Sequence, residues 1–209
     1  MPGNHDWGTG VTNSLAGYFD YYGANATDAG GKSYYSYDIA GSNWHVVNLD
    51  SECQLVPGGC ADGSPQETWL EADLAANVGK NVIAVWHKPR YSSGATNYQT
   101  VQPLWDALYA AGVDILLVGH DHVYERLAPM KSGATLSSPP VADTLYGIRQ
   151  FTVGTGGEGH HGLGTALPTS EIRNDTTFGI LKLTLHATSY DWEFMPIAGS
   201  TFTDSGTGS

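Results

Sequence analysis

Histidines follow two predicted strands at the point where each strand ends. The apolar run 81–86 leads into His87, and the run 113–118 leads to His120 and His122. The carboxyl ends of parallel strands meet at one edge of a sheet, where ligand crevices form, so we expect the three imidazoles to lie close together. A single histidine at a strand end is commonly a hydrogen-bonded structural residue. Three at neighbouring strand ends favour a metal site, since imidazole is the commonest protein ligand for metals.

The first residues add further donors to this candidate site. Gly3, Asn4, His5 and Asp6 supply a glycine that lets backbone approach closely, then an amide, an imidazole and a carboxylate. By itself this segment is equally typical of a turn closed by its own side chains. Only together with the strand-end histidines does it indicate a site.

Alternating strands and helices must position these groups. Ser64 followed by Pro65 and Glu67 predicts a capped helix over 65–77, and a second helical pattern runs from Val101 to Gly112. A strand, a helix and a strand of these lengths form the βαβ crossover of a parallel sheet. The fold class is therefore predicted to be α/β, in the mixed α+β sense.

The remaining strands are predicted from runs of β-branched and aromatic residues. Residues 34–39 and 44–49 predict a hairpin, 148–153 a later strand, and 178–185 with 190–194 a second hairpin. Beyond Arg126 the chain is predicted to be loop-like through the prolines at 139 and 140. No linker divides the chain into two domains.

Composition excludes several classes of function. Of 209 residues, only 9 are Lys or Arg against 21 Asp or Glu, so the formal charge is -12 and no basic run could follow a phosphate backbone. Nucleic acid is therefore not an expected partner, and no apolar stretch is long enough to cross a membrane. Cys53 and Cys60 could close a small loop as a disulfide or remain two thiols.

Three motifs in order resemble those of the calcineurin-like metallophosphoesterases, specifically the purple acid phosphatase branch. They are Gly-Asn-His-Asp at 3–6, His-Lys-Pro-Arg-Tyr-Ser-Ser at 87–93 and Gly-His-Asp-His-Val-Tyr-Glu-Arg at 119–126. The later segments 151–157 and 190–194 are also similar to that family, so the resemblance covers nearly the whole chain. It implies a four-layer sandwich of two β-sheets flanked by helices, and hydrolysis of phosphate monoesters by a metal-bound hydroxide.

The resemblance also implies a dinuclear transition-metal centre of iron with zinc, manganese or a second iron. Asn4, His87 and His120 would bind one ion, and His122 would bind the other. In the family, two aspartates and a tyrosine from two earlier Gly-Asp segments complete the centre, and this sequence contains no match to those segments. The chain as given could therefore hold a single metal ion, and it is expected to have weak or no activity.

Other roles implied by the resemblance concern the substrate, a small phosphate ester. His5 is the expected catalytic group facing the phosphate, and Asp6 is expected to fix its tautomer. Tyr91 and His160 are candidates for the mouth of the site. His5 could instead be purely structural.

Two hypotheses account for the missing Gly-Asp segments. Either residues 1–199 are a catalytic domain that lacks its first βα units, followed by a loose polar tail at 200–209, or the protein is genuinely short and has lost half of its site. By resemblance, the enzyme would be secreted. The oligomeric state is left open. A competing function is a non-catalytic metal-binding or carbohydrate-surface module, because 12 tyrosines and 6 tryptophans would suit sugar stacking as well as a β core.

Overall fold

The computed structural model describes residues 1–8, 14–27, 30–94 and 96–209. Its helices are α1 (Ala16–Tyr22), α2 (Pro65–Ala76) and α3 (Gln102–Ala110), with 3₁₀ turns at Gly23–Ala26 and Gln99–Val101. Its strands are β1 (Tyr35–Asp38), β2 (Trp44–Asn48), β3 (Asn81–Val85), β4 (Ile115–Val118), β5 (Tyr124–Leu127), β6 (Met130–Lys131), β7 (Val141–Ala142), β8 (Arg149–Val153), β9 (Ser170–Asn174), β10 (Gly179–Leu185), β11 (Tyr190–Pro196) and β12 (Ser205–Gly208). None of the described helices is both long and apolar enough to span a lipid bilayer.

A seven-stranded sheet in the order β1-β2-β3-β4-β8-β5-β9 forms the centre of the fold. Strands β2, β3, β4 and β8 pair in parallel, and the outer pairs are antiparallel. The predicted βαβ crossover from β3 through α3 to β4 and the predicted hairpin of β1 and β2 are both confirmed. All four parallel strands therefore end at the same edge of the sheet, where the histidine motifs lie.

Helix α2 begins where its sequence signals predict. The Ser64 side chain accepts a hydrogen bond from the backbone N–H of Glu67, and Pro65 occupies the first turn, where no intrahelical donor is lost. Leu70 and Leu74 are buried on one face of the helix. The predicted helix over 65–77 is confirmed to within one residue.

A second sheet of β10, β11 and β12 packs against the first. Trp44, Ile83 and Phe151 from the large sheet share a buried cluster with Trp192 and Phe194 of β11. On its other face the large sheet packs against α2 and α3 in a larger core. The described residues thus form helices, a large sheet and a small sheet in three successive layers. The predicted mixed α/β class with two packed sheets is confirmed, but three layers replace the expected four, because the buried apolar residues of the described helices all lie in the larger core on the other face of the large sheet.

The C-terminal residues are ordered, unlike the predicted loose tail. Strand β12 pairs antiparallel with β11, so its backbone groups are hydrogen-bonded. Just before it, the buried carboxylate of Asp204 accepts hydrogen bonds from the Tyr124 hydroxyl and from the guanidinium of Arg126. Polar composition suggested a loose tail, and these long-range partners explain why that prediction is wrong.

Candidate metal centre

Three side chains from distant segments converge at the carboxyl edge of the large sheet. The Nε2 atom of His87, just beyond β3, lies 2.8 Å from the Oδ1 atom of Asn4. The Nδ1 atom of His120, just beyond β4, lies 3.2 Å from Asn4 Oδ1 and also 3.2 Å from His87 Nε2. The predicted proximity of these three residues is therefore present in the fold.

The spacing of these donor atoms is suited to a shared metal ion. Atoms bound at about 2.1 Å from one ion lie about 3.0 Å apart along an octahedral edge and about 3.4 Å apart along a tetrahedral one. Among the described residues, histidine, cysteine, aspartate and glutamate alone form no metal-sized group of three. The carboxamide of Asn4 is therefore the third donor on which this candidate site depends.

Both imidazoles of the group are biased toward the neutral form that ligates metals. Burial, reinforced by the neighbouring imidazole of His120 and the ammonium of Lys88, lowers the pKa of His87 to about 4. Burial also lowers the pKa of His120, against the opposing effect of Asp121. A neutral imidazole carries one lone pair, so metal binding near neutral pH requires only that its single ring proton reside on the nitrogen that faces away from the ion.

A tight turn at the start of the chain carries Asn4 into the site. The Asp6 carboxylate accepts a hydrogen bond from the backbone N–H of Gly3 at 2.7 Å, and the Trp7 indole donates to the buried carboxylate of Asp50, just beyond β2, at 3.2 Å. A Cβ atom on Gly3 would lie 2.9 Å from the His87 ring. The glycine is thus required because the backbone lies directly against a candidate ligand.

Asp6 and His5 do not form the predicted pair. The Asp6 carboxylate closes the turn through Gly3, while the His5 side chain is exposed to solvent. The predicted role of Asp6 in fixing the tautomer of His5 is therefore replaced by a structural role in holding Asn4. His5 remains close enough to affect His87 electrostatically.

His120 has an uncommon backbone conformation. Its φ of 63° is the one positive value among the described non-glycine residues. Such strain costs roughly 1–3 kcal/mol and is concentrated at functional sites. The Nε2 atom of His120 contacts the Tyr98 hydroxyl at 2.6 Å, a partner that the sequence analysis missed because Tyr98 lies in a loop without a motif of its own.

His122 lies beside the three converging side chains and is held by a different loop. Its Nδ1 atom lies 2.8 Å from the carbonyl oxygen of Gly159, so Nδ1 must carry the proton and Nε2 keeps its lone pair. The His161 ring stacks on the His122 ring, with centroids 3.9 Å apart. Loop 154–164 therefore fixes His122 in the tautomer that suits a metal ligand.

Burial contradicts the predicted substrate contact of Tyr91, whereas that of half-buried His160 stays a prediction. Tyr91 is buried in the core, where its ring packs edge-on against Trp105, so it cannot line a solvent-facing mouth. The Nδ1 atom of His160 contacts the His122 carbonyl oxygen at 3.1 Å, and its ring stacks on Phe178. His161, which the sequence did not single out from its neighbour, is the residue that stacks on a candidate ligand.

The sequence is similar to known phosphoesterases. The family model for the calcineurin-like phosphoesterases matches residues 1–124. Purple acid phosphatase 21 of Arabidopsis thaliana is 32% identical over 158 residues, which are 70% of this chain and 32% of that protein. An acid phosphatase of Aspergillus ficuum is 36% identical over 100 residues, covering 42% of this chain and 16% of that enzyme.

The fold matches a solved relative over most of the chain. A purple acid phosphatase from yellow lupin (Lupinus luteus) aligns with a TM-score of 0.72 at 20% identity, covering 87% of this chain and 33% of that one. The chain thus spans about a third of the length of purple acid phosphatase 21 and of the lupin structure. With its three motifs, its sheet topology and its homologues among the acid phosphatases, this chain belongs to the calcineurin-like phosphoesterase family.

Proposed function

We propose that the chain binds a transition-metal ion through Asn4, His87 and His120, and that these residues serve the hydrolysis of phosphate monoesters. The observation that carries the proposal is the convergence of one amide oxygen and two imidazole nitrogens within 3.2 Å of one another. Membership of a family of phosphoesterases supports the reaction type. Small phosphate esters are the proposed substrates, not nucleic acids, because the chain carries a formal charge of -12.

The metal centre of the complete site is proposed to be dinuclear, with iron beside zinc, manganese or a second iron. His122 is the proposed ligand of the other ion, since its Nε2 lone pair is left available by the bond from Nδ1 to Gly159. When bound, such ions stabilise negative charge on phosphoryl oxygens and make water more acidic. With His122 as its single proposed ligand for that ion, this chain is expected to load one equivalent of metal and to turn over slowly.

The residues around the centre would orient the ester. His5, exposed beside the turn that carries Asn4, is the proposed donor of a hydrogen bond or proton to the leaving oxygen. Hydrogen bonds to the carboxylates of Asp6 and Asp50 hold this turn, so His5 and Asn4 keep fixed positions relative to each other. Rigid placement matters because catalysis by positioning is lost with displacements of about 1 Å.

Secretion is the proposed localisation. Its support is the disulfide between Cys53 and Cys60, which closes a loop after β2, because disulfides persist in oxidising compartments and are rare in the cytosol.

A zinc titration tests the metal-binding part of the proposal. We expect calorimetry to detect one equivalent of Zn²⁺ per wild-type chain, and His120→Ala to abolish that binding. The matched control is His186→Ala, which removes an exposed imidazole paired with Asp191. If the wild-type protein binds no Zn²⁺, Mn²⁺ or Fe³⁺, or if His120→Ala binds as tightly as the wild type, the proposal is wrong.

A non-catalytic metal-binding module is the second candidate function. The observation that favours it is that His122 is the single described side chain proposed for the second ion, and its Nδ1 atom is already held by the Gly159 carbonyl oxygen. Tyr21, Tyr22 and Tyr37 are also exposed, as expected of a sugar-binding surface. Metal binding without any hydrolysis of a chromogenic phosphate ester, after addition of excess Mn²⁺ or Fe³⁺, would favour this candidate.

A further inference from the structure

We infer that Tyr98 is a positioning residue that presents the Nδ1 atom of His120 to the metal. The Tyr98 hydroxyl lies 2.6 Å from His120 Nε2, on the opposite side of the imidazole from the candidate site. The two rings meet edge to face, with centroids 5.1 Å apart. This inference rests on the proposed function, because it deepens the description of the same metal site.

The tautomer of the His120 imidazole explains why a phenol suits this position. Nδ1 is the atom of His120 that faces Asn4 and His87, so Nδ1 must hold the lone pair when a metal is bound. The ring proton then resides on Nε2 and is donated to the Tyr98 oxygen. A phenol oxygen can accept or donate, so Tyr98 can serve the tautomer of the metal-free state as well as that of the bound state.

Tyr98 is itself held by the loop that follows the other ligand strand. Its backbone N–H donates to the Pro89 carbonyl oxygen at 3.0 Å, two residues beyond His87. The Lys88 ammonium lies 4.8 Å from the centre of the Tyr98 ring, and the same ammonium is bound at 2.7 Å by the buried carboxylate of Glu52. A cation over an aromatic face stabilises this arrangement, and more so when it is partly desolvated.

The consequence is a physical link between the two ligand loops. The segment from His87 to Tyr98 supplies one ligand directly and orients the second one through a hydroxyl. Partners that orient a metal-bound histidine in this way commonly change metal affinity by about 10–100-fold when they are removed. This support is more important because His120 lies in a bend beyond β4 with a strained, left-handed backbone.

Tyr98→Phe isolates the hydroxyl, since phenylalanine keeps the ring over Lys88 and against His120. We expect Tyr98→Phe to bind Zn²⁺ about 10–100-fold more weakly than the wild type, with an unchanged circular dichroism spectrum. The control is Tyr109→Phe, which removes a hydroxyl bonded to Asp143 on another part of the molecule and should leave the affinity unchanged. If wild type and Tyr98→Phe bind Zn²⁺ equally, the inference is wrong although the proposed function stands.

Nuclear magnetic resonance can follow the ring proton of His120, whose exchange with solvent would not change if Tyr98 only supported the fold. In the zinc-loaded wild type, the His120 Nε2–H proton should be protected from solvent exchange and show a cross-peak to the Tyr98 ring. In Tyr98→Phe that proton should exchange rapidly, while Tyr109→Phe should resemble the wild type. A zinc-loaded wild type with the proton on Nδ1 would overturn the inference, and a wild type that binds no metal would overturn the proposed function with it.

Discussion

The Nε2 atom of His87 lies 3.2 Å from the Nδ1 atom of His120, although 33 residues separate them in the chain. Parallel pairing sets this approach, because Val85 of β3 is level with Leu117 of β4. His87 lies two residues beyond Val85, whereas His120 lies three residues beyond Leu117. The left-handed conformation of His120, with φ of 63°, absorbs the extra residue and directs its ring back toward His87.

Gly3, which packs against the His87 ring, should affect the metal affinity without contributing a ligand atom. Gly3→Ala would place a methyl group 2.9–3.0 Å from the His87 ring, closer than unstrained contacts allow. We expect at least a tenfold loss of Zn²⁺ affinity, comparable to the loss of an orienting partner. Gly17→Ala is the control, because open space surrounds Gly17 in α1 and the affinity should be unaffected. Equal affinities in the two variants would contradict the close packing of Gly3 on His87.

The backbone strain at His120 should appear as a difference between two substitutions at that position. His120→Gly relieves a left-handed conformation that alanine does not tolerate well, so it should be more stable than His120→Ala by about 1 kcal/mol. Both variants should fail to bind Zn²⁺, since both lack the imidazole. Urea denaturation of the metal-free proteins measures the difference. A less stable glycine variant would show that residue 120 is not held at positive φ.

The Asp204 carboxylate should stabilise the folded protein at pH values above the ordinary pKa of an aspartate. Burial tends to raise its pKa, but hydrogen bonds from Arg126 and Tyr124 outweigh burial and hold the pKa below the ordinary 3.8. The stabilisation is therefore complete above pH 3.8 and is lost as the pH falls through the lower pKa of the folded state. We expect Asp204→Ala to lower the free energy of unfolding by roughly 3 kcal/mol near neutral pH, as for other broken buried ion pairs.

A matched control for Asp204 lies on strand β11 of the small sheet, which pairs with the strand that follows Asp204. Glu193 pairs with Lys182 at 3.5 Å, and more than half of each side chain is exposed. Glu193→Ala should change the unfolding free energy by less than about 1 kcal/mol, since exposed pairs contribute little. Urea titrations between pH 3 and pH 7 would test both variants. A similar loss for the two would argue against the buried link to Arg126.

The disulfide between Cys53 and Cys60 should make a modest contribution to stability. It closes a loop with a sequence separation of 7, for which chain entropy predicts a loss of about 2 kcal/mol on removal. The double variant Cys53→Ser with Cys60→Ser should therefore melt earlier than the wild type. Dithiothreitol should destabilise the wild type and leave the double variant unchanged. A wild-type protein insensitive to the reductant would indicate that the two thiols are not paired.

The amino-acid sequence by itself determined the local elements and the chemistry of the ligands. The cap formed by Ser64 and Glu67 located α2, the apolar runs located β3 and β4, and their alternation with helices implied a parallel sheet. Parallel strands end at one edge, so histidines at two strand ends could be expected to meet. These inferences succeed because hydrophobic periodicity and helix capping act over a few residues.

Only the tertiary structure decided which side chains support the ligands and which merely lie nearby in sequence. Tyr91 follows His87 closely yet is buried against Trp105, whereas Tyr98 reaches His120, and the polar C-terminal residues are ordered by Asp204. Such contacts depend on loop conformations and long-range pairing, for which a single sequence carries no periodic signal. The sequence therefore indicates which atoms can bind a metal, and the packing of distant segments determines how those atoms are held.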